Sequence, residues 1–388
     1  MSENQSNRDL RLDLFRGLAN WAIFLDHVPN NLIAWVTVRN YGFSDAAELF
    51  IFISGFTVAF VYGRMMTAKG FIAASVGLLG RVWKIYVAYL LLFMFYVVAV
   101  GYVAQRFGHA HLLDEFNIRR LIADPIEYMK HGMLLEYRPL NLDVLPLYAV
   151  LMAVFPPFLR LLMFAPNVAL ALAGGLYITA RQLGWNLSGY PSGQWYFNPF
   201  AWQLLFAIGA WAAIVDRNKL RTILRFEAIL PICIAFLVFS AVVTIAARTG
   251  NDGLLPISLR EVFIPNDKTN LAPYRIFHFV ALAVVVTWLV PKDAQALNWR
   301  VWRPLVVCGQ QSLEVFCAGV FLAFLAYFAI DLVSDSFSFQ LVISAGGIMA
   351  MTGVAYFRRW AKTAGSRSLK RGGGDGGLIV RSSGHVRR

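Results

Sequence analysis

Charge is scarce in this 388-residue chain: Asp, Glu, Lys and Arg make up 15% of it, against about 25% in soluble proteins. Set beside 58% hydrophobic and 15% aromatic residues, that shortage excludes a pair of soluble domains and points to a multi-pass membrane protein. Cysteine is scarce too. The three present, Cys233, Cys308 and Cys317, all fall in apolar segments, which argues against a disulfide framework and against a zinc site. No metal is expected. No small-residue cleavage site follows the first apolar run, and the residues before it are polar and charged, so the first helix is expected to be retained rather than cut off as a signal peptide. A phosphate-binding Gly-rich motif, a Gly-x-Ser-x-Gly elbow and a His-Glu-x-x-His pair are also missing, which leaves a self-contained ATPase or zinc protease unsupported. The net charge of +13 would suit nucleic acid only as a basic stripe on a soluble surface. Here the Lys and Arg cluster beside apolar segments, where they encode topology, so no nucleic-acid partner is expected.

What the chain does have is long apolar runs. About ten of them approach the roughly 20 residues a bilayer requires, near 17–38, 46–64, 80–104, 144–163, 166–182, 199–216, 226–247, 274–290, 303–330 and 338–357. The expectation is an all-α integral membrane protein of about ten transmembrane helices. Placing the N-terminus in the cytoplasm puts Arg64, Lys69, Arg81, Lys84, Arg160, Arg217, Lys219, Arg221, Arg225, Lys292, Arg300 and Arg303 on the cytoplasmic side. The other side receives Arg39, the mixed 105–143 loop, the 183–198 and 248–273 loops and an acidic turn near Asp331. That is a positive-inside pattern, with both termini cytoplasmic. It divides the chain into a cytoplasmic segment 1–16, a membrane domain 17–360 and a basic tail 361–388. The tail, poor in hydrophobics, reads as a disordered extension able to touch anionic lipid.

Within the first span lies an unusual set of polar residues: Arg16, Asn20, Asp26, His27, Asn30 and Asn31. Arg16 and His27 are eleven residues apart, about three helical turns and roughly 16 Å along one face. With Arg16 at the cytoplasmic interface, His27 is expected near mid-membrane. Such groups are costly in lipid and belong against protein or a watery cavity. Imidazole suits proton transfer near neutral pH and can also act as a nucleophile. Asp26 sits about 100° round the helix from His27, so their contact depends on packing. Arg81 and Lys84 are three apart and can meet a phosphate-bearing donor together with Arg16, Asn20 and Arg64. Glu48, Ser54, Asp143, Asn198, Gln203, His278, Gln311, Ser312 and Glu314 are the other polar residues in or near spans, and together they suggest an acceptor cavity. The aromatic and amide side chains of 183–198, among them Trp185, Trp195 and Tyr196, suit either a sugar or an interfacial belt.

The opening stretch resembles the acyltransferase 3 type of membrane acyltransferases, whose first helix carries an arginine, ten residues and a histidine, as Arg16 and His27 do. Glu48 to Phe56 is similar to the second-helix run of that type, ending Ser-Gly-Phe, and Arg81 to Tyr89 to its basic third-helix start. Asn141 to Tyr148, Phe197 to Gln203 and Gly309 to Cys317 resemble the OpgC family more narrowly. The blocks span about Leu10 to Trp360. The usual Trp-Ser-Leu-x-x-Glu block of the broader type is absent, with Asn141 to Tyr148 in its place. The resemblance implies a bacterial inner-membrane enzyme that moves a succinyl group from cytoplasmic acyl-CoA (succinyl-CoA, a substrate rather than a bound cofactor) to a hydroxyl of a periplasmic glucan. In that picture Arg16, Asn20, Arg64, Arg81 and Lys84 hold the donor, while His27, with Arg16 and Asp26, does the chemistry. The competing reading is a proton-coupled exporter of a glycan or organic anion, against which the lack of an evident internal repeat counts. A non-catalytic scaffold would instead tolerate neutralising both Arg16 and His27.

Overall fold

A computed structural model of the chain describes residues 9–216, 222, 226–291 and 294–372, with side chains to 364. The expected cytoplasmic charges Arg217, Lys219, Arg221, Arg225 and Lys292 lie outside the described residues, as do 1–8 and 373–388. In chain order the helices are α1 (Leu10–Asp26), α2 (Ala46–Phe107), α3 (Leu112–Glu115), α4 (Arg119–Ala123), α5 (Pro125–Met133), α6 (Val144–Ala153), α7 (Phe155–Phe164), α8 (Pro166–Leu183) and α9 (Pro199–Ile214). Then come α10 (Ile229–Arg248), α11 (Ile257–Phe263), α12 (Pro273–Leu289), α13 (Arg303–Gln310), α14 (Ser312–Leu332) and α15 (Phe337–Gly372). No named strand occurs among the described residues. The fold is all-α and multi-pass.

The span count needs correction. Four helices are long and apolar enough to cross a membrane, or five if α6 and α7, bent by 57°, form one span; ten is not the number. Several of the shortfalls have a local cause. The run 17–38 stays helical only to Asp26, because Pro29 disfavours helix at the residue before it, Asn30 takes a left-handed φ of 57°, and Asn31 caps a separate 3-10 turn, Leu32–Val36. The run 303–330 breaks at Gln311 into α13 and α14. Helices α9 and α12 are apolar but only 16 and 17 residues long. The runs 46–64 and 80–104 both fall inside α2, 62 residues interrupted at Gly70, whose φ of 84° and ψ of 172° are not helical. The Tyr62 hydroxyl donates to the Gly77 carbonyl at 3.3 Å. In a straight helix those residues would be about 22 Å apart along the axis, so α2 doubles back at Gly70.

Two close helix crossings organise the bundle. A Cβ on Gly17 would overlap the Leu305 carbonyl oxygen, and one on Gly309 would overlap the Asp13 carbonyl oxygen, so α1 and α13 meet backbone to backbone. The first arm of α2 meets α9 in the same reciprocal way, Gly55 on the Phe206 carbonyl and Gly209 on that of Phe52. Small residues permit this approach, which in lipid supplies packing that the hydrophobic effect does not. Between these crossings lies an aliphatic and aromatic core that includes Phe50, Tyr96, Trp202, Phe316 and Phe324. The first crossing fixes the start of α1, and the second fixes the first arm of α2 beyond the 27–45 connection.

Candidate functional site

Where α1 ends, the chain passes through the 3-10 turns Leu32–Val36 and Val38–Asn40 before Asp45 starts α2. Together with 136–144, 189–197 and 266–275, this connection walls a cavity of about 1060 Å³ that includes Asp26 and His27 in its lining. His27 is thus at a helix end facing polar loops, not in the middle of a 22-residue span. Its amide still donates to the Ile23 carbonyl, and its own carbonyl accepts from Asn141 Nδ2 at 3.3 Å. Nδ1 of the ring is buried and has no hydrogen-bond partner among the described residues. An unmet buried nitrogen is uncommon enough to point to a water or substrate group. Asp26 faces the same cavity; its Oδ1 accepts from the Thr37 hydroxyl at 2.7 Å, and its carbonyl accepts from Arg39 at 2.9 Å.

One wall carries a dense charge network. Asp45, as the N-cap of α2, forms a capping box with Glu48 and accepts from Lys268 Nζ at 2.6 Å. Arg275 bridges Asp45 at 3.3 Å and Glu48 at 2.6 Å. Both Glu48 and Arg275 are buried, so each charge depends on the other. Beside them the Ser44 amide sits 3.3 Å from His278 Nδ1, which makes that nitrogen the acceptor and lets the Ser44 hydroxyl donate to it at 2.7 Å. On the opposite wall Arg138 pairs with Asp143 at 3.0 Å and lies 4.3 Å above the Trp195 ring. Two arginines of the lining are left without a carboxylate. Arg39 donates to a backbone carbonyl, and the Arg248 guanidinium makes no hydrogen bond or ion pair with a described residue. Both stand at the Asp26–His27 corner, where the element bearing Arg39 packs on α10.

The expected acceptor set therefore divides. Asp143 lines the cavity. Glu48 and His278 sit one residue behind it, holding Arg275 and Ser44. Asn198 caps α9 and donates to the Trp185 carbonyl and to Asn270, one residue from cavity-lining Phe197. Ser54 is buried beside the Gly55 crossing, and Gln203 ties α9 to the Ala173 carbonyl of α8. Gln311, Ser312 and Glu314 are elsewhere. They meet Lys362 at 2.5 Å, Asn20 at 3.3 Å and Arg358 at 2.9 Å at the other end of α1. Asn20 is buried, with Oδ1 lacking a partner among the described residues.

The expected donor set is more dispersed. Arg16 donates to Thr57 Oγ1 at 2.9 Å and to the Ile53 carbonyl at 3.3 Å. Arg64 is exposed and lies 4.0 Å over the Phe60 ring. Arg81 is half-buried and Lys84 exposed, both on the second arm of α2. Of the aromatic loop, Tyr190 and Tyr196 line the cavity, Trp195 is buried beneath Arg138, and Trp185 stacks edge-on to Phe200. Sequence reasoning passed over Arg39, Arg138, Arg248 and Lys268 as cavity residues. Nothing local separates them from Arg106, Arg119, Arg120, Lys130 and Arg260 of the same loops, and only packing picks them out.

An all-α membrane bundle holding an uncommitted histidine in a charged cavity of loops defines a polytopic protein built to act on a polar substrate. A family profile described as "OpgC protein" matches residues 8–363, and the chain belongs to that family. Membership implies a glucan-modifying transferase. No curated protein and no solved structure matches the chain.

Proposed function

We propose that the protein is an O-acyltransferase of a bacterial inner membrane that moves a succinyl group from cytoplasmic succinyl-CoA to a hydroxyl of a periplasmic glucan, with both termini in the cytoplasm. The observation that carries this reading is His27 in the wall of a cavity of about 1060 Å³ built from the loops expected to face the periplasm. A glucan needs such a volume, with hydroxyl-binding groups and aromatic faces around it. Asp143, Arg138, Asn141, Tyr190 and Tyr196 supply them.

In the reaction a glucan oxygen replaces sulfur on the acyl carbon. The C–S bond breaks, a C–O bond forms, and the hydroxyl proton leaves with the thiol. His27 either takes that proton as the oxygen attacks or first accepts the acyl group on a ring nitrogen. Asp26, turned toward the same cavity, stabilises the cationic imidazole electrostatically. The guanidinium groups of Arg39 and Arg248 face the free carboxylate of a succinyl group, which a neutral acyl chain lacks. Arg64, Arg81 and Lys84 receive the thioester from the cytoplasm with its phosphates at the cations, while Arg16 and Asn20, engaged by Thr57, Ile53 and Ser312, fix α1 beside that path. The test is direct. Purified protein given radiolabelled succinyl thioester should release free thiol in the presence of glucan and label the glucan, and His27→Ala should do neither. Transport of glucan or anion into vesicles with no thiol release would overturn the reading.

A further inference from the structure

We propose that His109, His111 and Asp331 form a binding site for a divalent cation of the zinc class, joining the end of α2 to the end of α14. The chain leaves α2 through Gly108, whose φ of 74° is left-handed, and this sharp turn brings two alternate histidines back against α14. Asp331 is the penultimate residue of α14. Its Oδ2 lies 2.8 Å from His109 Nδ1 and 3.2 Å from His111 Nε2. All three donor atoms fall within 4.8 Å of one another. A tetrahedral zinc with bonds of about 2.0–2.2 Å holds its ligand atoms about 3.3–3.6 Å apart, so the ion fits after shifts of side-chain torsions alone.

The chemistry of the donors selects the ion. Two imidazoles and one carboxylate suit zinc, copper or nickel, whereas calcium and magnesium call for an oxygen cage. Three protein ligands leave a fourth position, and the His111 side chain, 52% exposed, leaves room for water there. The site is also braced. Phe328, one turn before Asp331, packs edge-on to His109 with centroids 6.0 Å apart and contacts Phe107 at 5.2 Å. That packing fixes the His109 ring and points Nδ1 at the carboxylate. The loop that begins at His109 goes on to supply Asn117, Glu136, Arg138, Asn141 and Asp143 to the His27 cavity. A bound ion therefore clamps the root of one cavity wall, independently of what reaction the cavity performs.

The experiment uses full-length protein in detergent, purified without a polyhistidine tag, stripped with chelator and titrated with Co²⁺ and then Zn²⁺. The expected result is one Co²⁺ per chain with tetrahedral visible absorption, displaced by Zn²⁺. His111→Ala and Asp331→Asn should each weaken binding at least about tenfold while leaving the metal-free melting temperature unchanged. His111→Cys should restore Co²⁺ binding with a sulfur charge-transfer band. Equal binding by the wild type and the His109→Ala/His111→Ala double variant, at any level, overturns the proposal.

Discussion

The two ends of α1 solve opposite problems. At the Arg16 end the helix is locked: Gly17 and Gly309 put it against the backbone of α13, Arg16 is held by Thr57 and Ile53, and Asn20 reaches Ser312. At the His27 end the helix opens onto loops, and its polar groups face a cavity rather than another helix. Both ends carry ionisable groups that would be costly in lipid. Only the second leaves them room for a ligand. Polar residues along one helical stripe can therefore be structural at one end and chemical at the other, and what separates them is the packing of their neighbours.

The strongest test of that contrast is at the open end. His27→Ala should lower glucan acylation about 10²–10⁴-fold, the range for losing one acid–base group, with no loss of thermal stability, because the ring supports no other described group. A change within threefold would break the contrast. Beneath the cavity floor, Glu48→Ala should act on stability instead. It removes the closer partner of buried Arg275 and one arm of the capping box, at a cost of about 3–5 kcal/mol, read as a fall in melting temperature in detergent. At the locked end, Gly309→Leu drives a side chain into the Asp13 carbonyl and should cost about 1–3 kcal/mol of stability through overpacking. If Gly309→Leu abolished activity in protein of unchanged stability, the locked end would be part of the reaction path.

Much of this contrast is legible in the order of the residues. Apolar runs and sparse charge define the class, and the spacing of Arg16 and His27 singles out α1. The helix end at Asp26 is also written in Pro29, Asn30 and Asn31, but a run of hydrophobic residues on both sides outweighs them in a span count. Other features have no local signal. Gly70 permits the reversal of α2 through its left-handed φ, but one glycine among 30 does not mark where a long apolar run turns. Lys268 joins the cavity because Asp45, 223 residues earlier, caps a helix beside it. Long-range ion pairs of that kind leave no periodicity to read. The other cavity cations are hidden in the same way: Arg39, Arg138 and Arg248 look no different in the sequence from Arg106, Arg119, Arg120, Lys130 and Arg260.

The smallest expected effect sharpens the comparison most. Glu314 and Gln311 belong to a stretch that resembles the family, and they are held by Arg358 and Lys362 of α15. The Arg358 side chain is 44% exposed and that of Glu314 28%, so the pair is screened and worth at most about 0.2–1 kcal/mol. Arg358→Gln should then leave the melting temperature nearly unchanged and acylation within about twofold, if this end of α1 serves packing alone. Arg248→Gln at the open end is equally mild for folding, since Arg248 holds no described residue, yet it should lower transfer of a succinyl group while sparing a neutral acyl group of similar length. Measured side by side, the two substitutions remove one exposed positive charge each. A selective loss from Arg248→Gln alone means that the charge acts on substrate at one end and on the fold at the other. An equal loss from Arg358→Gln would place the donor's anionic groups at the α14–α15 junction and make both ends of α1 parts of one substrate path.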